Sequence, residues 1–285
     1  WVVAARASRV SQGDTAGDAR AEARPGAKKS AGRGRGTDAP QAATGYELPE
    51  PDRVVQVALP PLLPPAPEDA GEFAYQPPKK MQMRHLSIIR RPTVIEAVDN
   101  FLTEEECRAW IEWAEASGFE EARQKQDSMY AFRDNGRIEF FSQDLAYQIW
   151  LRMKSFVPDE VGNPPRRVLG CSPRIRIYKY AKGQRFGKHV DGSRDEPSLG
   201  GRTHFTVLIY LNGGDHDSTD SQLRGGETVF YEDYDGKRLA LAFPPTRGVC
   251  LYHGHGEDCM THEGAAVVSG TKYILRTDVV YELER

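Results

Sequence analysis

A histidine and an aspartate two residues apart, His189 and Asp191, offer the clearest chemistry in this sequence. They stand in the segment YAKGQRFGKHVDG. On a β-strand, side chains two residues apart leave the same face, so the imidazole and the carboxylate would point to one place. Such a pair supplies two of the three ligands of a facial triad, which binds Fe(II) and leaves open positions on the metal. An H-x-D pair alone is a weak signal, because it also occurs by chance on surfaces.

The third ligand has to come from a strand that is distant in sequence, and His262 is the candidate. It stands 71 residues after Asp191, and Lys272 follows ten residues later, with Arg276 on the same face of the last strand. A cation there could hold the far carboxylate of a dicarboxylic co-substrate whose other end chelates the metal. The simpler interpretation is that Lys272 is a solvated lysine at the start of a strand. This interpretation is less favoured because Lys272 comes after a complete triad.

A second set of metal-binding residue types overlaps this one. His253, His255, Cys259 and His262 lie within ten residues, and Zn²⁺ favours histidine and cysteine ligands. Their irregular spacing lacks the paired C-x2-C or H-x3-H pattern of structural zinc sites. We therefore expect His253 and His255 to be hydrogen-bonded loop residues.

Two helices and then many strands are predicted to position these residues. Thr103 and Glu106 form a capping box before the first helix, Gly118 ends it, and Ser142 begins the second. From Arg174 the apolar period changes to that of strands, near 174–180, 203–212, 226–231, 238–243, 248–253 and 271–281. This order predicts an α+β fold whose strands form a jelly roll or barrel.

The first part of the chain has a different composition. Residues 1–48 are rich in Ala, Arg and Gly, and residues 1–45 contain no Leu, Ile or Phe, so they are predicted to be a disordered or extended arm. Residues 49–91 are rich in proline and are predicted to be a tether, in which the PPLLPP stretch could also dock to a partner. The folded domain is expected to span 92–285.

Length and composition narrow the function. The 285 residues carry a net charge of −3, which gives no electrostatic reason to expect nucleic-acid binding. No stretch reaches the roughly 18 apolar residues of a membrane span. Four cysteines in a chain of this length do not indicate a disulfide framework. The chain begins at Trp1, so its N-terminus is expected to be processed or incomplete, and its location could be cytoplasmic or organellar.

Residues 92–285 resemble the prolyl 4-hydroxylase-like branch of the Fe(II)/2-oxoglutarate oxygenases. The resemblance rests on five blocks in the family's order: YAKGQ…HVD, FTVLIYLN, RGGETVFY, the turn before GVCLYH, and HEG…SGTKY. Within that branch the chain resembles plant and algal members that carry RDNGRIEF, GQRFGKHVD and RTDVVY.

The resemblance implies a double-stranded β-helix with supporting N-terminal helices. It also implies Fe(II) as the metal, 2-oxoglutarate and O₂ as co-substrates, and ascorbate as a candidate reductant. It assigns Tyr180, Thr206 and Tyr210 to the co-substrate pocket, and Lys272 to the distal carboxylate of 2-oxoglutarate, with Arg276 as the other candidate cation.

The sequence departs from prolyl hydroxylases on the substrate side. Asp278 occupies a position where they commonly have tryptophan, and Phe186 replaces a frequent tyrosine. Arg133, Asn135 and Arg137 could bind substrate or form a solvated hairpin. The acidic insertion at 213–223 is a candidate lid.

The predicted function is therefore that of a dioxygenase that hydroxylates a protein side chain, with peptidyl-proline as the first candidate. The alternative is an oxygenase-fold accessory subunit of a larger assembly, docked through residues 1–80.

Overall fold

The computed structural model describes most of the chain after residue 92 and a few short stretches before it. The described residues are 2–3, 59–60, 62, 77–81, 93–126, 131–214 and 222–284. Nearly all of the predicted arm and tether lie outside them, as does most of the acidic insertion. The predictions made for those segments stay predictions.

The described residues contain two α-helices and eighteen strands, several of which are only two residues long. The helices are α1 (Glu104–Ser117) and α2 (Gln143–Met153). The strands are β1 (Val2–Val3), β2 (Lys79–Lys80), β3 (Ile95–Asp99), β4 (Glu120–Gln124), β5 (Arg133–Phe141), β6 (Glu160–Val161), β7 (Arg166–Cys171), β8 (Arg174–Tyr180), β9 (Arg185–Asp191), β10 (Asp195–Glu196), β11 (Gly201–Tyr210), β12 (Arg224–Gly225), β13 (Thr228–Tyr231), β14 (Leu239–Phe243), β15 (Cys250–Gly254), β16 (His262–Gly264), β17 (Val267–Ser269) and β18 (Lys272–Glu282).

Two antiparallel sets of four strands dominate the fold. One set has the order β8-β18-β11-β15 and the other the order β14-β13-β16-β9, while β5 pairs with both β8 and β9. Along the chain, β8 belongs to the first set, β9 to the second, β11 to the first, β13 and β14 to the second, β15 to the first, β16 to the second and β18 to the first. This is the winding of a jelly roll. The prediction of an α+β fold built on an antiparallel jelly roll agrees with this arrangement.

The first helix begins and ends, and the second helix begins, where the sequence predicts. The Thr103 hydroxyl accepts a hydrogen bond from the Glu106 amide at 3.2 Å, and the Glu106 carboxylate accepts one from the Thr103 amide at 2.8 Å. Gly118, at a φ of 80°, follows the last helical residue, and Ser142 caps α2. Neither helix in the described part of the chain has the length and apolar character that a membrane span requires.

Residue parity along the central strands decides which side chains face the interior of the jelly roll. On β11, Phe205, Val207 and Ile209 belong to a buried cluster shared with α1 and α2, whereas Leu208 and Tyr210 belong to a second cluster that includes residues of β13 and β14. β8 and β18 divide in the same way. Because of this alternation, Thr206 on β11 shares one face with Lys272, Arg276 and Asp278 on β18, and these four residues lie inside the jelly roll.

Candidate active site

The structure brings the three predicted metal ligands together. His189 and Asp191 share one face of β9, and His262 at the start of β16 pairs directly with His189 across the two strands. One potential ligand atom from each residue lies within 4.8 Å of the others. All three residues are buried, with Asp191 only 1% exposed. The pairing of β9 with β16 therefore brings His262 close to Asp191, although the two residues are far apart in the sequence.

The hydrogen bonds of the two imidazoles fix which nitrogen is available. His189 Nδ1 lies 2.7 Å from the Gly187 carbonyl oxygen, and His262 Nδ1 lies 2.9 Å from the Met260 carbonyl oxygen. A carbonyl can only accept, so Nδ1 donates in both rings, and Nε2 is the nitrogen left to bind a metal when the ring is neutral. The two Nε2 atoms lie 3.4 and 4.0 Å from the carboxylate oxygens of Asp191.

The two oxygens of Asp191 have different environments. Oδ2 accepts hydrogen bonds from Thr206 Oγ1 at 2.6 Å and from the Arg276 guanidinium at 3.0 Å. Oδ1 is buried and has no hydrogen-bond partner among the described residues. Burial alone would raise the pKa of this carboxyl, but Arg276 and the two neighbouring histidines hold the pKa well below its ordinary value. Asp191 is therefore ionised with one oxygen unsatisfied.

These atoms fit a divalent metal ion. Two imidazoles whose Nδ1 atoms are already engaged and an unsatisfied carboxylate oxygen converge here, and such an arrangement is costly in a buried site unless a cation holds it. Burial, together with the neighbouring rings of His189 and His253, lowers the pKa of His262 well below 6.5. His262 is therefore neutral at pH 7, as a metal ligand must be.

The competing zinc set is only partly assembled. Ligand atoms of His253, Cys259 and His262 also lie within 4.8 Å of one another. His255 is engaged elsewhere, because its ring nitrogens lie 3.2 Å from Thr203 Oγ1 and 2.7 Å from Thr206 Oγ1. Burial raises the pKa of the Cys259 thiol, which disfavours the thiolate that zinc requires. The described geometry therefore favours the iron triad.

His253 is a residue whose position the sequence reasoning assigned wrongly. It is not in a loop but on β15, and it is 1% exposed. Its ring lies 4.5 Å from that of His262, and its Nε2, which has no hydrogen-bond partner among the described residues, lies 3.9 Å from Asp191 Oδ2. Burial lowers the pKa of His253 to about 4, so the ring is neutral at pH 7. It thus adds a neutral imidazole at the edge of the triad.

A cavity connects the triad to Lys272. Its walls include the three ligands together with Tyr180, Thr206, Thr228 and Lys272. The Lys272 ammonium donates to the Gly226 carbonyl and lies 5.7 and 5.5 Å from the ring centres of Tyr180 and Tyr210. Tyr210 stands behind Thr228, whose Oγ1 lies 2.7 Å from the tyrosine hydroxyl. Four of the five predicted co-substrate residues, Arg276 included, line the cavity, and Tyr210 contacts its wall through Thr228.

Lys272 is a buried cation in an unusual electrostatic position. It is 2% exposed, and no described carboxylate lies within ion-pair distance of it. Burial lowers its pKa to about 7, an effect that Glu227 only partly opposes. A buried cation without a counter-ion is costly, and an anionic ligand would remove that cost.

Arg276, the other candidate cation, is occupied by residues of the chain itself. Its guanidinium donates to Asp191 Oδ2 at 3.0 Å, to Thr206 Oγ1 at 2.9 Å and to Asp278 Oδ1 at 3.3 Å. The residue is 8% exposed. Arg276 therefore orients the metal carboxylate, and Lys272 remains the better candidate for the distal carboxylate of 2-oxoglutarate.

Asp278 is surrounded by cations that the sequence reasoning did not connect with it. Its carboxylate lies 2.5 Å from Arg176, 3.1 Å from Arg194 and 3.3 Å from Arg276. His255 Nε2 lies 3.8 Å away. Burial alone would raise the pKa of Asp278, but the three guanidiniums lower it below its usual range. The position that commonly carries tryptophan in prolyl hydroxylases is thus the anionic centre of an arginine cluster.

Replacing Asp278 with asparagine is expected to destabilise the fold by on the order of 3 kcal/mol, because it leaves buried guanidiniums without their shared counter-ion. A carboxyl with a depressed folded-state pKa stabilises the fold above its unfolded pKa of about 3.9 and loses that contribution as pH falls. The variant should therefore also lose part of the acid dependence of stability. Urea unfolding at several pH values measures both effects. Asp235→Asn is the control, since this carboxylate is half exposed and pairs with the exposed Lys237; an equal effect of both substitutions would contradict the prediction.

Comparison with known proteins identifies one family model. Residues 175–277 match the model described as the 2OG-Fe(II) oxygenase superfamily. This segment runs from β8 into β18 and contains His189, Asp191, His262 and Lys272. No curated protein matches the chain.

Several solved structures are similar to the chain at low identity. The viral collagen prolyl hydroxylase of Paramecium Bursaria Chlorella virus-1, in its 2OG complex, has 17% identity and a TM-score of 0.46, over 66% of this chain and 96% of that chain. A Pseudomonas putida prolyl-4-hydroxylase has 17% identity and a TM-score of 0.45, over 68% and 95%. A Trichoplax adhaerens prolyl hydroxylase, in complex with a hypoxia inducible factor peptide fragment, has 16% identity and a TM-score of 0.46, over 65% and 83%.

Proposed function

We propose that this chain is a dioxygenase that hydroxylates a side chain of a protein substrate. Its residues 175–277 belong to the 2OG-Fe(II) oxygenase superfamily, as the motifs predicted. Fe(II) is its proposed metal, 2-oxoglutarate and O₂ are its co-substrates, and ascorbate is a candidate reductant. The alternation of the strands between two sets also supports the double-stranded β-helix that the resemblance implies.

One observation carries the proposal. The buried Asp191 Oδ1 has no hydrogen-bond partner among the described residues, and it faces two imidazoles whose other nitrogens are held by backbone carbonyls. His189, Asp191 and His262 would hold Fe(II). When bound, this ion supplies the redox chemistry that couples conversion of 2-oxoglutarate to succinate and CO₂ with hydroxylation of a substrate C–H bond.

The chain's other residues orient and shield this site. Thr206 and Arg276 hold Asp191 Oδ2, which leaves Oδ1 directed to the metal position. Phe186 stacks on the His189 ring, with ring centres 3.8 Å apart, and limits the freedom of that ligand. At the other end of the cavity, Lys272 would pair with the distal carboxylate of 2-oxoglutarate.

The pKa of Lys272 predicts how the affinity for 2-oxoglutarate depends on pH. The ligand-free protein holds this amine at a pKa of about 7, and the bound carboxylate needs the charged form. The dissociation constant for 2-oxoglutarate should therefore be nearly constant below pH 7 and rise by up to about tenfold per pH unit above it. Calorimetry with Mn(II) in place of Fe(II) measures this, and it should also detect proton uptake on binding at pH 8.

Lys272→Arg provides the matched control for this pH dependence. Arginine stays protonated throughout the accessible range, so the variant's affinity should no longer fall above pH 7. A wild-type affinity that is flat between pH 6 and 9 would contradict the assignment of Lys272.

Peptidyl-proline is the substrate to test first. The motifs that carry the resemblance are those of prolyl hydroxylases, and the side chain at 278 is the main departure from them. Proline-rich peptides should be incubated with the iron-loaded chain and analysed by mass spectrometry for the gain of one oxygen atom. Gain on lysine, arginine or a small metabolite, with proline unmodified, would contradict the substrate and leave the oxygenase proposal intact.

The alternative, an accessory subunit docked through residues 1–80, has less support. Most of that segment lies outside the described residues. A scaffold has no need of three convergent metal ligands or of a buried lysine that lacks a described counter-ion. These features favour catalysis, although an active enzyme could also dock through such an arm.

A further inference from the structure

A second cavity lies directly beside the iron site. The two cavities share Tyr178, Phe186, Asp191 and Arg276 as walls. A group bound in the second cavity would therefore be adjacent to the proposed metal position, on the side of Asp278 rather than of Lys272. We call it the arginine pocket, because its walls include six arginines: Arg133, Arg137, Arg174, Arg176, Arg194 and Arg276.

The charges of the arginine pocket do not cancel. The described ion pairs connect five of its six arginines with only three carboxylates, those of Glu139, Asp191 and Asp278. His255 adds no negative charge, and it is neutral at pH 7 because burial lowers its pKa to about 4. Among the described residues the pocket therefore has an excess of three positive charges, although the whole chain carries −3.

Strand register brings these cations together at a cost. Arg176 on β8 lies directly opposite Arg276 on β18, and like charges in such cross-strand positions are destabilising. Arg176 is largely buried, with its side chain 11% exposed. Its Nε is also buried and has no hydrogen-bond partner among the described residues. One arginine would suffice to neutralise Asp278, so the further cations require another explanation.

Arg133 connects the arginine pocket with the metal site. Its guanidinium lies 4.0 Å from the centre of the Phe186 ring, which itself stacks on His189. No described carboxylate forms an ion pair with it. Arginine side chains with free donors beside aromatic rings are well suited to bind planar anions such as carboxylates.

We propose that the arginine pocket binds a carboxylate of the substrate next to the carbon that is hydroxylated, so that this enzyme prefers acidic substrates. The inference rests on the proposed oxygenase function and specifies its substrate class. Asp278 considered alone would suggest a cationic substrate, because an isolated carboxylate attracts cations. The three arginines around Asp278 carry more positive charge than its carboxylate carries negative charge, so the pocket attracts an anion instead. The carboxylate could belong to an acidic residue of a peptide or to a small free acid.

Binding of matched probes tests this directly. The full chain, loaded with Mn(II) and 2-oxoglutarate without O₂, is titrated with a proline-containing peptide that has glutamate beside the proline and with its glutamine twin. The acidic peptide should bind at least about tenfold more tightly, as expected for charge-assisted contacts. N-acetyl-proline and N-acetyl-prolinamide form the second pair; a preference in this pair alone identifies a small acid as the source.

Two variants and one control connect the preference with the arginine pocket. Arg133→Gln and, separately, Arg137→Gln should each reduce the preference several-fold, and urea unfolding verifies that each variant is folded. Arg167→Gln should not change it, since Arg167 lies outside the pocket with its side chain 77% exposed.

Equal affinities within both probe pairs, including no binding of any probe, would overturn the inference. A preference unchanged in both pocket variants would also overturn it. Failure of the proposed function gives a different result, because the acidic probe would then bind preferentially without producing succinate or a hydroxylated product when iron and O₂ are supplied.

Discussion

Replacing His189 with alanine is expected to abolish turnover of 2-oxoglutarate. The substitution removes one of three ligands from a buried site in which Asp191 already has an unsatisfied oxygen. Loss even of residues that only orient metal ligands typically reduces affinity or activity by about 10–100-fold, so loss of a ligand itself should exceed that range. Succinate formation and bound iron, measured on the same preparation, quantify the effect.

His204→Gln is the control for this substitution. His204 is also a histidine on a central strand, but its ring contacts Phe205 and Tyr281 and lies outside the site. This variant should keep both iron binding and turnover. If His189→Ala retained stoichiometric iron and more than about a tenth of the wild-type turnover, the assignment of the triad would be wrong.

Replacing Lys272 with alanine should raise the concentration of 2-oxoglutarate that is required by about two orders of magnitude. Removing one partner of a buried ion pair costs on the order of 3 kcal/mol, which corresponds to about 150-fold in a dissociation constant. The metal ligands are unchanged, so iron binding should persist. Titration of succinate formation against 2-oxoglutarate gives the shift.

Lys188→Ala is a matched control, because this lysine makes similar contacts but is exposed and lies outside the cavity. Its ammonium also donates to a glycine carbonyl, that of Gly236, and lies 4.3 Å from the centre of the Tyr231 ring. It should have no comparable effect. Arg276→Ala is expected to weaken iron binding instead, because Arg276 holds Asp191. If Arg276→Ala raised the 2-oxoglutarate requirement and Lys272→Ala did not, the cation would be wrongly assigned.

The residues of the site that could be predicted are those whose positions follow from local rules. The i, i+2 spacing of His189 and Asp191 places both on one face of any strand that contains them. The capping box of Thr103 and Glu106 fixes the start of α1 in the same local way. No spacing rule predicts the strand pairing that brings His262 to the other two ligands. Its assignment relied instead on its place in the order of the motifs.

The environment of Asp278 could not be predicted, because it depends on cross-strand register. Arg176 reaches Asp278 from β8, more than a hundred positions earlier, and Arg194 reaches it from the segment after β9. A single sequence contains no signal that pairs these strands in this register. The parity of β8 and β18, two of the predicted strands, does imply that Arg174, Arg176, Arg276 and Asp278 share an interior face, and this was the available signal.

The position of His253 was missed for a related reason. Two glycines alternate with the histidines of the segment HGHGED, which contains no large apolar residue, so its composition is typical of a loop. The structure continues β15 through His253 because the strand pairs on both sides, with β11 and with β3. The strand predicted near 248–253 already reached His253, but the partner strand β3 was not among those predicted, so the pairing that holds His253 in the strand could not be foreseen.

Succinate formation by the iron-loaded chain is the measurement that tests the central claim most directly. The chain is supplied with Fe(II), 2-oxoglutarate, O₂ and ascorbate, with and without the acidic proline peptide, and succinate is quantified against His189→Ala. The account predicts iron-dependent succinate that the peptide increases and that the variant lacks. A wild-type preparation that binds one iron per chain and forms no succinate under any of these conditions would contradict it, and would favour the accessory subunit instead.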